Sequence, residues 1–410
     1  MRILILTQYF PPEVGAPQNR LFELAVRLQK NGIDTTILTA MPNYPQMKIH
    51  EKYKNKIYTR ENMSGLDVYR SWIFVSQKRS IVFRLLNYFS FVFSSLFLGL
   101  FLRKKVDFIF CESPPLFLGI TAHLLSKFKR AKLIFNVSDL WPESAEKLGI
   151  IENKFFLNLS TRLEEFLYKN SIFITGQTQG IVHNIKRRFP SKNVYWLPNG
   201  VDLNIYNFSS SELESNVLIS YGVKPEDKVF LYGGIIGYAQ GLEIIVEAAN
   251  LLQSESKVKF VLLGNGPEKQ KLIDLVAHYK LDNVIFIDTV QKAMMPSIVN
   301  SITAAIIPLK KLDLFKGAIP SKIFENLAMK KPILLGVDGE AKELFIDQGN
   351  CGLFFEPENY VDLKDKIVEL LHRQDKVKEL GDNGFNFVKE NFNRDKITLD
   401  FITELHKIDS

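Results

Sequence analysis

Disulfide frameworks, metal clusters and nucleotide fingerprints are all missing from this sequence. It holds only two cysteines, Cys111 and Cys351, in 410 residues. Both stand in apolar, strand-like runs, so they read as small core residues of a reduced, cytosolic protein and not as a disulfide pair. The six histidines are scattered, and no Cys/His spacing suits a metal ion. There is no G-x-G-x-x-G and no G-K-[ST], which excludes a dinucleotide fingerprint and a P-loop. Without a G-x-S-x-G or a Ser-His-Asp arrangement, nothing argues for a hydrolase. No short internal repeat is present, so a solenoid is excluded. The opening MRILILTQYFPP has only a brief apolar run before its prolines, and it reads as a first strand, not a signal peptide.

What is present is apolar and basic. Hydrophobic residues make up 46% of the chain, ample for buried cores and too little for a multispanning membrane protein. The length predicts two or three domains. A formal charge of +7 asks for an anionic partner. The cations are unevenly placed: Lys48, Lys52, Lys54, Lys56 and Arg60 crowd one polar stretch that reads as a loop. Lys78, Arg79 and Arg84 lead into the most hydrophobic run, Ile81–Leu102, and Arg103, Lys104 and Lys105 close it. No RNA- or DNA-binding signature accompanies them, so lipid headgroups are the expected partner and nucleic acid is not. The run is long enough to cross a bilayer. Arg84, Asn87 and three serines interrupt it, and strands of one sheet flank it. Three placements therefore stay open: a helix inserted in the membrane surface, a buried crossover helix, and a true span.

Elsewhere strand alternates with helix, which predicts parallel sheets. Arg2–Thr7, Thr35–Ala40, Asp67–Trp72, Asp107–Glu112, Lys132–Asp139, Ser171–Gly176 and Asn193–Leu197 read as strands of a first domain. After a Ser- and Glu-rich stretch the alternation restarts with Lys228–Gly233, Lys257–Leu263, Asn283–Asp288, Ala304–Leu309, Pro332–Val337 and Gly352–Phe355. Open α/β sheets bind ligands beyond the carboxyl ends of their strands. That rule selects Gly15 after the first strand, Asp139 and Glu143 after Lys132–Asp139, Gly233, Gly234 and Gly237 after Lys228–Gly233, and Gly264 and Gly266 after Lys257–Leu263.

The segment Gly317–Phe345 is the densest. Ser321 reads as an N-cap, and Ile323, Phe324, Leu327 and Ala328 as the buried stripe of a helix. Lys322, beside the N–H groups of the helix start, could hold a phosphate, and Glu325 could accept from a pair of sugar hydroxyls. Asp338-Gly339-Glu340 forms a loop after the next strand. On the residues alone, plainer roles stand beside these: a surface glutamate at 325, turn glycines at 15 and 264, an N-cap at Asp139, and a core anchor at Trp141.

The same segment resembles the nucleotide-sugar signature of the family 4 retaining glycosyltransferases, with its Glu-x7-Glu pair, small-residue helix, Pro-led strand and Gly-Glu loop. Pro198-Asn199-Gly200-Val201-Asp202 is similar to the family's hinge. The D-L-W-P-E-S run from Asp139 is similar to bacterial N-acetylfucosamine-type transferases of O-antigen and capsule synthesis. The resemblance covers nearly the whole chain and implies an α/β fold of GT-B type, two Rossmann-like domains whose parallel sheets face across a cleft. Residues 1–202 would bind acceptor on the membrane side and residues 203–390 the donor, with a C-terminal helix from about 391 to 410 packing back on the first domain.

Residue roles follow from the resemblance. Glu325 would bind the donor ribose, Gly15 would lie against its diphosphate, and Glu340 would sit in the donor loop. Asp139 would orient an acceptor hydroxyl or balance charge near the anomeric carbon, and Glu143 would contact acceptor hydroxyls. The chain departs from the family at Gly317, where the first glutamate belongs, leaving the backbone N–H groups of Gly317 and Ala318 to serve. It departs again at Gly234 and Gln240, where an arginine and a lysine are expected, and at Ser138-Asp139, near which many members have a histidine. Lys322, with N–H groups of Gly233, Gly234 and Gly237, is the expected substitute for the phosphate clamp.

The implied activity needs no metal and no cofactor. It transfers a sugar, an N-acetylated deoxyhexosamine by resemblance, from a UDP-sugar to a polyprenyl-diphosphate-linked saccharide of O-antigen, capsule or exopolysaccharide. The enzyme would be cytoplasmic and peripherally attached to the inner face of the membrane. A UDP-sugar 2-epimerase of GT-B shape and a non-catalytic saccharide-binding subunit of an assembly complex remain open beside it.

Overall fold

The computed structural model of the chain describes residues 1–13, 15–44, 46–78, 80–147, 153–209 and 217–409. Arg79 and most of the Ser- and Glu-rich stretch, residues 210–216, lie outside them. Two compact units result: Met1–Asn199 together with the chain from Asp395 onward, and Gly200–Arg394.

In the first unit the described strands are β1 (Arg2–Leu6), β2 (Asp34–Ala40), β3 (Tyr58–Met63), β4 (Leu66–Ser71), β5 (Phe108–Ser113), β6 (Lys132–Val137), β7 (Phe173–Gly176) and β8 (Val194–Trp196). Their order is β3-β4-β2-β1-β5-β6-β7-β8, parallel except for the β3–β4 pair. Central strands such as β5 are buried along their length, because helices cover both faces of a parallel sheet. The C-terminal helix Arg394–Asp409 supplies part of that cover. Its Ile397, Phe401 and Leu405 pack among Ile3, Ile5, Phe110 and Phe173, and Asp395 pairs with Arg27 at 2.7 Å. Val201 bridges Asn393, with its N–H donating to the Phe392 carbonyl at 2.9 Å. That bridge draws Gly200–Asp202 into the second unit, so the first unit ends at Asn199, short of the expected residue 202.

The polar stretch around Lys48–Arg60 is not wholly a loop. Tyr58–Met63 is an edge strand whose residues alternate between exposed and half-buried, so it carries no apolar stripe to announce it. Ser64 and Gly65, both with positive φ, close the hairpin to β4, as a two-residue primed turn requires. Arg60 of this strand pairs with Asp67 at 3.0 Å, and Lys104 is held by the same carboxylate.

The helix Ile81–Phe101 is fastened along one side to its own domain. Asn87 donates to the Phe74 carbonyl and accepts from Gln8, Thr121 donates to the Val92 carbonyl, and Phe91 and Ser95 are buried. β4 and β5, the strands it joins, lie in one sheet on either side of β2 and β1. The true span is thereby removed from the three placements, since only the helix's outer face is left for a second environment.

The second unit's described strands are β9 (Lys228–Gly233), β10 (Val258–Leu263), β11 (Val284–Ile287), β12 (Ala304–Pro308), β13 (Ile333–Gly336) and β14 (Gly352–Phe354), in the all-parallel order β11-β10-β9-β12-β13-β14. Each sheet reverses its strand order at its own first strand, between β1 and β5 and between β9 and β12. Such switch points open a crevice at the strands' carboxyl ends. Cys111 lies in β5 and Cys351 just ahead of β14, both free and buried.

Candidate functional site

At the β9/β12 switch point the helix Lys322–Ala328 brings Lys322 over the end of β9. Ile323, Phe324, Leu327 and Ala328 form the buried stripe that the periodicity predicts, which fixes the helix and leaves Lys322 and Glu325 half-buried. The Lys322 ammonium stands 4.0 Å from the centroid of the buried Tyr232 ring. A Cβ on Gly234 would come within 3.0 Å of Lys322 Nζ, so the glycine makes room for the lysine. Lys322 forms no ion pair among the described residues. Burial brings it down to about 7, with the Glu325 carboxylate opposing the fall.

Several expectations about this edge need correction. Ser321 is not a side-chain cap: it has helical backbone angles and its hydroxyl accepts no capping hydrogen bond, because the turn already begins at Pro320, whose carbonyl receives the Ile323 N–H. Of the N–H groups expected for phosphate, that of Gly234 donates to the Leu263 carbonyl at 2.9 Å, extending the β-ladder by one residue. The Ala318 N–H, expected to serve where the first glutamate is missing, donates to the Phe315 carbonyl at 2.9 Å, and that of Gly264, expected only to bring backbone close to the nucleotide, donates to the Ile287 carbonyl at 2.8 Å. Glu340 opens a short helix, Glu340–Lys342, instead of continuing a loop.

Gly264 and Gly266 answer to their neighbours in the fold. With φ at +141°, Gly264 would place a Cβ 1.9 Å from the Gly234 carbonyl oxygen, and a Cβ on Gly266 would stand 2.2 Å from that of Ile236. The loops after β9 and β10 thus interlock, backbone against backbone, with the Ile236 N–H on the Asn265 carbonyl at 3.0 Å. Gly339, with φ at +81°, likewise seats the Asp338–Glu340 turn against the carbonyl of Lys316, next to Gly317. Gln240 ends the turn Tyr238–Gln240, and a Cβ on Gly237 would come 3.0 Å from its Oε1. Gly233 is the last residue of β9.

Sequence reasoning missed Lys310. It leaves β12, donates its N–H to the Ala239 carbonyl at 3.0 Å, and lays its ammonium 3.3 Å from the Tyr238 ring centroid. A second cation therefore reaches the loop that carries Gln240. The paired lysines at the strand exit, Leu309-Lys310-Lys311, were the available signal.

In the first unit, Gly15 precedes the helix Ala16–Lys30 in an extended conformation, and a Cβ there would meet the Gln18 side chain. Its loop is anchored by buried Glu13, which accepts N–H groups from Phe10, Asn43 and Tyr44, and by the guanidinium of fully buried Arg70, which reaches the Pro11 carbonyl and Glu61. Asp139 accepts from Ser144 Oγ at 2.8 Å, the capping-type contact left open by the sequence, and burial raises its pKa, with Glu143 adding to the rise. Glu143 pairs with Lys147 at 2.7 Å. Trp141 packs edge-on to Phe117 at 5.4 Å, a core contact. Also missed was a buried network at this sheet's own switch point. Arg20 meets Glu112 at 2.8 Å, Asn136 and Ser138 donate to the same carboxylate, and Thr175 donates to Asn136.

Two parallel-sheet α/β units, each with its polar residues gathered at a switch point, define the GT-B class. Solved structures of that class are similar over their full length. Sucrose-phosphate synthase from Thermosynechococcus elongatus covers 99% of this chain and 98% of its own, with a TM-score of 0.77 at 15% identity. Anabaena HepE in complex with UDP and glucose covers 99% and 100%, with a TM-score of 0.73 at 15% identity. Residues 18–205 match the model described as Glycosyltransferase Family 4, and residues 218–387 match Glycosyl transferases group 1. The chain belongs to the family 4 glycosyltransferases. A glycosyl transferase of Escherichia coli strain K12 named for colanic acid biosynthesis, WcaI, is 25% identical over 80% of this chain and 81% of its own length. An uncharacterized glycosyltransferase of Methanocaldococcus jannaschii, MJ1069, is 22% identical over 96% and 95%.

Proposed function

We propose that this glycosyltransferase moves a sugar, an N-acetylated deoxyhexosamine, from a UDP-sugar to a polyprenyl-diphosphate-linked saccharide during bacterial surface polysaccharide synthesis, with retention and without a metal. The observation that carries the donor half is the Lys322 ammonium beside Gly234 at the β9 edge, in no ion pair among the described residues and one helical turn from Glu325. An incoming diphosphate supplies the counter-charge that this lysine lacks, and its approach raises the lysine's proton affinity. Glu325 accepts from the ribose hydroxyls. As the bond from the anomeric carbon to the diphosphate oxygen breaks, the acceptor oxygen bonds to that carbon and its proton passes to the leaving phosphate. Lys322 stabilises the charge that grows there. A relative named for colanic acid biosynthesis and a similar fold solved with UDP and glucose support the substrate classes. In the same reading, Asp139 and Glu143 serve the acceptor and the protein works at the cytoplasmic face of the inner membrane.

The test is a panel of nucleotide sugars incubated with membrane lipid extract, the products read by mass spectrometry. A sugar added to a lipid-linked saccharide is expected, and isomerisation of the donor without acceptor would instead identify an epimerase. Lys322→Ala is expected to lower turnover tenfold or more. Calorimetry that finds no binding of millimolar UDP would reject the reading.

A further inference from the structure

The helix Ile81–Phe101 buries one face and leaves the other bare. Phe93, Phe97 and Phe101, spaced by four, line the bare side, Phe97 at 62% exposure and Phe101 at 78%. Next to them the β3–β4 edge adds Ile57, 80% exposed, with Tyr58 and Trp72. Of these, Ile57, Tyr58, Trp72, Phe97 and Phe101 enclose, with Leu98 and the hydroxyl-bearing Ser71 and Ser94, an open and mainly apolar groove of about 420 Å³. So much contiguous exposed apolar surface is rare unless something covers it. The neighbouring charges indicate what does. Lys56 precedes Ile57, and Arg103 and Lys105 follow Phe101; all three are exposed and none forms an ion pair among the described residues. Lys104, by contrast, is spent on Asp67. Uncommitted cations beside an apolar groove fit a molecule with a phosphate head and a hydrocarbon tail, and a second copy of the chain would bring the same positive charge against itself.

We infer that this face docks on an anionic phospholipid bilayer, with one hydrocarbon chain lying in the groove between Trp72 and Phe101 while Lys56, Arg103 and Lys105 meet the headgroup phosphates. The inference deepens the proposed function, resting on its lipid-linked acceptor, and it assigns the docking to particular residues. Trp72 becomes a reporter, because its indole passes from water into acyl chains.

The experiment is flotation of the full chain with vesicles of phosphatidylcholine containing about 30% phosphatidylglycerol, compared with pure phosphatidylcholine, while Trp72 emission is followed. Binding to the anionic vesicles with a blue shift that vanishes in Trp72→Phe is expected. Phe97→Ser/Phe101→Ser should weaken partitioning by about tenfold or more, since each exposed ring contributes buried area only in the membrane. Lys56→Glu/Arg103→Glu/Lys105→Glu should remove the preference for anionic lipid. The altered positions are exposed, so melting temperatures should not change. Wild-type protein that stays in solution, or a Phe97→Ser/Phe101→Ser variant that floats equally well, overturns the inference. A vesicle-free dimer dissolved by that variant does so too, by giving the groove to a second copy. UDP calorimetry on the same samples separates the two readings: nucleotide binding without vesicle binding leaves the donor assignment standing and rejects only the docking face.

Discussion

The two switch points share a topology and differ in their electrostatics. At β1/β5, Arg20 and Glu112 face each other at 2.8 Å with 6% and 4% of their side chains exposed, and Asn136 and Ser138 fill the remaining acceptor positions. The charge there closes on itself. At β9/β12, Lys322 has an aromatic face on one side, a glycine on the other, the Glu325 carboxylate one helical turn away, and no ion pair among the described residues. A crevice whose charges are mutually satisfied acts as a scaffold that positions the loops around it. One that holds an unmatched cation is prepared for an anion from outside.

The contrast breaks most visibly at Arg20. Arg20→Met would strand the Glu112 carboxylate in the interior, and removal of one partner from a buried pair costs about 3–5 kcal/mol. Urea denaturation should register that loss, and a change below about 1 kcal/mol would mean that the pair is not the anchor described. At the other switch point the equivalent change runs the opposite way. Because the folded state holds Lys322 near 7 and the unfolded chain holds it at its ordinary 10.5, the unfolded chain binds more protons between those values. Wild-type stability should therefore rise with pH across that window, relative to Lys322→Met, and the cost of charging the lysine is borne in full below about pH 7. The side chain keeps partial contact with solvent, which limits the difference between pH 7 and 10 to roughly 1–3 kcal/mol. Parallel melts of the two proteins over that range measure it; curves that superimpose would return Lys322 to an ordinary surface lysine.

What the sequence made legible follows the same physics. Strands buried on both faces announce themselves as unbroken apolar runs, so the central strands of both sheets were readable. The edge strand Tyr58–Met63, with no buried face, was not. Lys322 and Glu325 were readable because helical spacing alone puts them off the buried stripe. The Arg20–Glu112 pair was hidden, since 92 residues separate its members and nothing local marks either one. The fate of individual N–H groups was hidden too: whether Gly234 offers its N–H to a phosphate depends on one more rung of the ladder to Leu263, and register is a tertiary property. Lys310 was overlooked because its importance lies in reaching Tyr238, a residue of a different loop.

The smallest expected effect discriminates between glycines that the fold requires and one that it does not. Gly264 combines a positive φ with a neighbouring carbonyl in the space a Cβ would occupy, so Gly264→Ala must shift the β9 loop or unfold it. Gly317 has neither constraint: no atom lies within 4 Å of a Cβ built there, and its φ is outside the left-handed region. Gly317→Ala should leave stability unchanged or raise it by about 0.4–1 kcal/mol through the unfolded chain. Since space does not forbid a side chain, Gly317→Glu should fold as well and supply the carboxylate that the Glu-x7-Glu resemblance leads one to expect at this position. Thermal melts of the two Gly317 variants check the structural half, and donor-panel kinetics check whether the added carboxylate changes sugar preference. Destabilisation of Gly317→Ala by more than about 1 kcal/mol would show that the turn Asp313–Gly317 needs its glycine after all, and that its openness is not available to a donor.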